Sequence, residues 1–306
     1  MDSCVHLKTA LTGELASNEE FEQLVRATPP RLRPIGDRTA LIEGLPGTIL
    51  VSHGDDGVVL VDCYYDFQAG QILDLIRELT DAPLRFAIPT HFHPDHAGGA
   101  ATFARHGAAI VGVGNSRVRM SSDYVATHVR ALVPAAPAGR PDLTFSDTLT
   151  LHVNGEEITV RHPGPAHTDT DVLVHFRHAN VLHLGDIVVN FPGMNCYPAI
   201  DLTAGGDAIG RVTALEQALE LCDDETVVIP GHGAPLTRNE IAEHLAAVKR
   251  VHENVRREVA AGTDRESILA AVPGILDGYC LPEPLVVGPT GYLDATHHAY
   301  TCARPR

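Results

Sequence analysis

The stretch Thr90–Gly99, THFHPDHAGG, constrains this chain more than any other. It places His91, His93, Asp95 and His96 within six positions and closes on two glycines. Side chains two apart on an extended segment point the same way, so imidazoles and a carboxylate at this spacing line one side of a loop and can close on a metal. A solvated, histidine-rich loop has the same composition, and the rest of the sequence decides between the two. His167 sits in PGPAHTDTD just before the apolar run 171–176, Asp186 ends VLHLGD, and His232 sits in VVIPGHG. Each stands where an apolar, strand-like run gives way to a loop. A fold that uses all of them must bring these strand ends to one edge.

Periodicity supplies the strands. ILVSHGDDGVVLVD (49–62) reads as a β-hairpin, two apolar runs about an Asp-Asp-Gly turn. Ile72, Leu75, Ile76 and Leu79 recur at helical spacing within 66–80, ending before Ala82-Pro83. A short buried strand, 85–89, delivers the histidine-rich stretch; a helix follows from about His96, and 109–113 is again a strand. Residues 114–142, rich in Pro, Gly and Ala, form the variable loop region, with a short helix expected around Asp123–Leu132. Strands resume at 149–153, 157–162, 171–176 and 180–186. A helix over 207–222 precedes the strand TVVIPGH (226–232), and Thr237 with Glu240 makes a capping box for a long helix. Thr263 and Glu266 repeat that signature before a short helix closed by Pro273-Gly274. With no internal repeat and no linker-like stretch, the chain reads as one α/β domain of two sheets covered by helices. The functional sites of such layered folds lie at the edge where strand-end loops meet.

Composition narrows the function. The 306 residues are 44% hydrophobic, enough for a full-sized core. No apolar run approaches the roughly 18 residues of a membrane span, and the first residues lack the basic head and apolar run of a secretory signal. The expectation is a cytoplasmic protein with no membrane partner. The six cysteines (Cys4, Cys63, Cys196, Cys222, Cys280, Cys302) are scattered without a CxxC pair and read as reduced thiols. A net charge of −16 argues against nucleic acid, which needs clustered Lys and Arg. The expected partner is a small-molecule substrate, and nothing in the sequence sets the oligomeric state.

Seven nitrogen and oxygen donors suit two transition-metal ions, most simply zinc, each keeping a position for water or substrate. The order and separation of THFHPDH (90–96), His167, Asp186 and His232, led by VVLVD (58–62), resemble the metallo-β-lactamase-fold hydrolases over roughly residues 38–260. DLTAGGD (201–207) is similar to the GGS-like turn of some bacterial members. The resemblance implies a four-layer αββα sandwich, one domain over 1–306 with an N-terminal extension and a C-terminal helical tail around that core. It implies one metal on His91, His93 and His167, and a second on Asp95, His96 and His232, with Asp186 bridging both. Metal coordination lowers the pKa of water from about 15.7 to about 7, and a hydroxide between the ions would attack a polarised carbonyl carbon. The second ion would stabilise the oxyanion or leaving group. Asp95 is then the proton shuttle. Asp62, together with Thr168 and Asp169, is expected to orient ligands by hydrogen bonding. Asn190, Phe191, Met194 and Tyr197 are expected to border the pocket, and His297-His298 are candidates to fold over it. His53, His106, His152 and His183 read as surface or packing residues.

Aspartate at position 186 resembles the thioester- and lactone-cleaving branches, whereas zinc β-lactamases of this fold usually carry Cys or Ser there. A lactone, ester or thioester is therefore the favoured substrate. A β-lactam hydrolase remains an alternative, disfavoured also by the lack of an export signal. A mononuclear iron persulfide dioxygenase on the same scaffold is another, separable by one iron and oxygen consumption. A nucleic-acid phosphodiesterase would need a basic groove, and a metal-binding protein without turnover would not need the complete donor set.

Overall fold

The run Gly57–Val61 is apolar at successive positions because both of its faces are covered. Val58 and Leu60 pack with Ile72, Ile76 and Phe103 of the neighbouring helices, whereas Val59 and Val61 belong to a cluster shared with a second sheet. A strand between two layers has no polar face to show. The computed structural model describes residues 18–45, 47–126, 131–190, 199–271 and 289–301, and extends this layering to the whole of them.

After helix α1 (Asn18–Ala27), strands β1 (Arg31–Gly36), β2 (Thr39–Glu43), β3 (Thr48–Gly54) and β4 (Gly57–Val61) form an antiparallel meander. The sheet continues in parallel through β5 (Leu84–Ile88) and β6 (Ala109–Val113). A separate hairpin, β7 (Tyr124–Ala126) and β8 (Ala131–Val133), precedes β9 (Leu143–Phe145), which closes the seven-stranded order β1-β2-β3-β4-β5-β6-β9. The second sheet has five strands in sequence order: β10 (Thr148–Val153), β11 (Glu156–Arg161), β12 (Leu173–Phe176), β13 (Val181–Asn190) and β14 (Val227–Gly233). Its last pair alone is parallel.

Leu41, Leu50, Val59, Val61, Ile88 and Val111 from one sheet meet Ile158, Val160, Val174, Phe176 and Ile229 from the other. Each such side chain, fully buried, is worth about 1.5–3 kcal/mol relative to exposure. Helices α2 (Ala69–Leu79), α3 (Pro94–Ala97), α4 (Ala100–Arg105) and α5 (Gly114–Arg119) belong to the first half. Of these, α2 and α4 cover its outer face through Ile72, Ile76 and Phe103. The outer face of the second sheet is covered by α6 (Ala208–Leu221) and α7 (Arg238–Ala260), through Leu215, Ile241, Leu245 and Val248. This is the expected αββα sandwich. The capping box of α7 is present: Glu240 N donates to Thr237 Oγ1 and Thr237 N donates to Glu240 Oε2.

Four local expectations give way. The segment around Asp123–Leu132 carries the β7–β8 pairing rather than a helix; its aromatic and β-branched residues, Tyr124, Val125 and Val133, favour extended backbone. Among the described residues, that loop region carries α5 at Gly114–Arg119 and a 3-10 turn at Pro137–Gly139. The cap of α8 (Arg265–Ala270) is Asp264, whose carboxylate accepts from Ser267 N at 2.9 Å, while the Thr263 hydroxyl turns to Glu258. The last described helix, α9 (Pro289–Thr301), packs on α6, α7 and α8 through Ala295 and Tyr300. His297 and His298 therefore ride on the outer helical layer and do not fold over the site. Strands β1, β2 and β9 add to those read from the sequence.

Asp186 lies within β13, which runs on to Asn190, and does not end it. The register against β14 shifts on both sides of Gly185, a bulge of the kind that re-aims a side chain. Gly185 has φ +53°, and a Cβ there would stand 2.6 Å from Thr90 Oγ1. Gly185→Ala should therefore cost at least about 1–3 kcal/mol for the left-handed backbone alone. Equilibrium urea unfolding measures this, and an unshifted midpoint would contradict the reading of the bulge.

Candidate metal centre

Strand ends from both sheets deliver the site. Asp62 follows β4 at φ +71°, a left-handed residue with a side chain that is 1% exposed. Such a conformation costs about 1–3 kcal/mol and persists only where its surroundings hold it. Here the twist turns the carboxylate under the next loop. Asp62 Oδ1 accepts from Thr90 N at 2.7 Å, and Oδ2 accepts from His96 Nδ1 at 2.7 Å and from the Thr90 hydroxyl at 3.2 Å. The second sheet is tied to the same loop, Val172 N donating to Thr90 O and Phe92 N to Thr170 Oγ1.

Acceptors outside the cluster assign the proton on four of the five rings. Asp62 takes the Nδ1 proton of His96. Thr90, whose hydroxyl proton goes to Asp62, accepts from His91 Nδ1 at 3.2 Å. Asp201 Oδ2 accepts from His93 Nε2 at 3.1 Å, and the Ala199 carbonyl accepts from His167 Nδ1 at 2.5 Å. A neutral imidazole has one donor and one acceptor nitrogen, so the nitrogens left facing inward carry lone pairs. They converge: His93 Nδ1 is 2.9 Å from His91 Nε2 and 3.1 Å from His167 Nε2, and His96 Nε2 is 3.3 Å from His232 Nε2. Opposed lone pairs at this distance repel unless positive charge lies between them.

Two nitrogen donors on one tetrahedral zinc stand about 3.3 Å apart at bond lengths of about 2.0–2.1 Å, close to these separations. The donor atoms form three overlapping groups, His91–His93–His167, His91–His96–Asp186 and Asp95–His96–His232, each within 4.8 Å. Asp186 stands between the outer two. Its Oδ2 is 3.2 Å from His232 Nε2 and 3.7 Å from His167 Nε2, and its Oδ1 is 3.3 Å from His96 Nε2. Among the described residues Oδ1 is buried without a hydrogen bond; the 3.3 Å approach of His96 Nε2 brings charges together but lacks hydrogen-bond geometry. A cation at the cluster satisfies that oxygen, so the residues fit a metal. A nitrogen-rich donor set selects transition metals over calcium or magnesium.

Charge in the cluster follows the same logic. Burial works against ionising His232, but Asp186 and Asp95 outweigh it and push its pKa up to about 10. Burial likewise opposes charge on His96, and Asp62, Asp186 and Asp95 overcome it, raising its pKa well above the usual value. For Asp95 and Asp186 burial favours the neutral acid, yet His96 and His232 hold both carboxylates well below the ordinary range. Burial and the surrounding histidines keep His91 neutral. The cluster demands positive charge at its centre, met by protons on His96 and His232 or by metal ions that displace them.

The site is open on one side. The His93, His96 and His167 side chains are 2% exposed, whereas Asp95 and His232 are 18% and 14% exposed. Gly231 lets β14 pass close to Asp186, because a Cβ there would collide with the Asp186 carboxylate.

A model of the metallo-β-lactamase superfamily matches residues 43–232, which include every one of these donors. The chain belongs to the metallo-β-lactamase superfamily. Members of this superfamily are metal-dependent hydrolases. A 2,4-dinitroanisole O-demethylase subunit alpha from Nocardioides sp. (strain JS1661) is 26% identical over 72% of this chain and 61% of its own length. The linear primary-alkylsulfatase of Pseudomonas sp. (strain ATCC 19151) is 22% identical over 78% of this chain and 51% of its own. The chain thus spans about half to three-fifths of these curated relatives. Among solved structures, a metallo-β-lactamase from Pontibacter korlensis has a TM-score of 0.58 at 20% identity, covering 72% of this chain and 99% of the other. The sec-alkylsulfatase Pisa1 from Pseudomonas sp. has a TM-score of 0.65 at 17% identity, covering 89% and 50%. These structures share the fold.

Residues outside the donor set orient it, and here the sequence reading needs correction. Asp62 does touch a donor. Thr168 and Asp169 do not: the Thr168 amide and hydroxyl both donate to Asp171, and Asp169 pairs with Arg119 at 2.6 Å. Their short loop turns them away from the rings. Asp201 takes the place expected of them, and it also caps its own turn by accepting from Thr203 N and Ala204 N. Its signal was the DLTAGGD turn, since Asp before a turn has a carboxylate to offer. Asn190 donates to the Ala234 carbonyl at 2.9 Å and so braces β14's exit; Phe191, Met194 and Tyr197 lie outside the described residues. Buried His183 accepts from Gly185 N and donates to the Thr48 carbonyl, a packing role.

Purified protein should carry close to two transition-metal ions per chain by elemental analysis; a single iron with oxygen consumption would contradict this. Asp201→Asn sets an amide N–H against His93 Nε2–H and should weaken metal binding about 10–100-fold in chelator competition.

Proposed function

We propose that the protein is a hydrolase holding two zinc ions and cleaving a lactone, ester or thioester. The observation that carries this reading is Asp186, an oxygen donor between both donor sets with an oxygen that has no hydrogen bond among the described residues. Zinc ions in such a site supply Lewis acidity and bring the pKa of water from about 15.7 to near 7. The chain's own residues do the rest. Asp62, Thr90, Asp201 and the Ala199 carbonyl hold the rings so that their lone pairs face inward. Asp95, 3.3 Å from His232 Nε2 and kept ionised by His96 and His232, would take a proton from the attacking water. The proposed partner is a small molecule arriving past Asp95 and His232.

A second reading has a specific observation in its favour. The alkylsulfatase relative aligns over 78% of this chain, so alkyl sulfate esters belong beside carboxylic esters as candidates. A β-lactam is the weaker alternative: the relative named metallo-beta-lactamase IND-1, from Chryseobacterium indologenes, matches over 43% of the chain. An alkoxide or thiolate also leaves more readily than an amide anion.

One zinc-loaded preparation, assayed side by side, tests the choice. Lactones, esters or thioesters should show higher kcat/KM than any penicillin, cephalosporin or carbapenem. A β-lactam leading by tenfold, about 1.4 kcal/mol of transition-state preference, would overturn the substrate class, and an alkyl sulfate in the lead would establish the second reading.

A further inference from the structure

Tyr124 opens β7 beside the metal centre. Its ring lies parallel to that of His93, with centroids 6.1 Å apart and planes 4° apart, and it tilts against Phe92 at 4.9 Å. Its hydroxyl oxygen is buried and has no hydrogen-bond partner among the described residues. That is an expensive arrangement, because a buried polar group left unpaired loses its hydration without compensation.

The polar groups nearby are already committed. Arg119 donates to both oxygens of Asp169 and to the Thr203 carbonyl. Asp201 holds His93, Thr203 and Ala204. The base of the β7–β8 hairpin is closed by Ala135 N donating to Asp123 Oδ1 and Ala136 N donating to Met120 O, which fixes the backbone on either side of Tyr124. The ring stacks on that of His93, so the phenol, which carries its proton at neutral pH, stands beside the cluster. A rigid, protonated, unpaired donor beside a reaction centre is what a substrate oxygen requires.

We propose that Tyr124 is a substrate-contacting residue, its hydroxyl donating a hydrogen bond to an oxygen of the bond being cleaved. This rests on the reading of the site as a hydrolytic centre. Packing of the ring against His93 and Phe92 positions the donor, and no covalent step involves it.

Tyr124→Phe keeps the ring and removes the donor. The zinc-loaded variant should keep its metal content and have an unchanged or higher Tm, since an unpaired buried hydroxyl is removed. Its kcat/KM on the best substrate of the panel should fall by roughly a hundredfold or more. Acetohydroxamate, a chelating oxygen ligand, should bind it at least fivefold more weakly by calorimetry. A loss in either readout at unchanged metal content and Tm supports the proposal. Agreement within twofold in both overturns it, as does a Tm lowered by several degrees, which would reveal a structural partner for the hydroxyl. If the wild type cleaves nothing in the panel, the hydrolase reading falls and the hydroxamate comparison alone decides Tyr124.

Discussion

The inward-facing lone pairs of His91, His93, His96 and His167 are the constraint on which the rest of the structure depends. Ring nitrogens 2.9–3.3 Å apart are stable together only with positive charge between them. Each ring could escape by flipping its tautomer and donating to its neighbour, and each is prevented by an acceptor on its far side. Asp62, Thr90, Asp201 and the Ala199 carbonyl are the acceptors that hold those rings. The site is built from outside inward, and the metal-binding face is what remains after the outer hydrogen bonds are made.

The fold exists in a form that permits this. Parallel strands β4 and β5 present Asp62 and the histidine-rich loop at the same edge, and β13 and β14 bring Asp186 and His232 to it from the other sheet. Strain is concentrated where the two meet. Asp62 and Gly185 are both left-handed, and both lie against Thr90, the residue that links Asp62 to His91. The cores on either side, apolar on both faces of their strands, supply the stability that holds these conformations. Burial then sharpens the electrostatics: in a low-dielectric cluster the carboxylates of Asp95 and Asp186 stay ionised because His96 and His232 oppose them.

Much of this was legible in the sequence, for identifiable reasons. Donor residues at the ends of apolar runs mark themselves, because polar side chains with that spacing have no role inside a core. Two-sided burial wrote itself as VVLV and VVIP, and the cap of α7 as Thr237 followed by Glu240. Other features rest on contacts that no local pattern records. Thr168 and Asp169 stand next to a donor in the chain yet turn away from it, whereas Asp201 lies far from His93 in the chain and touches it. Tyr124 belongs to a loop whose hairpin is set by pairing across 127–130 and by Asp123, so neither its strand nor its approach to His93 follows from periodicity. The bulge at Gly185 exists only because two strands shift register.

The central claim concerns specific atoms, and long-range ¹⁵N–¹H correlation spectra of the histidine rings in zinc-loaded protein address it most directly. Metal-bound, protonated and free ring nitrogens differ in ¹⁵N shift. The account predicts His91, His96 and His167 bound through Nε2 with a proton on Nδ1, and His93 alone reversed, bound through Nδ1 with its proton on Nε2 toward Asp201. Metal on His93 Nε2, or His93 and His167 both free of metal, would contradict it.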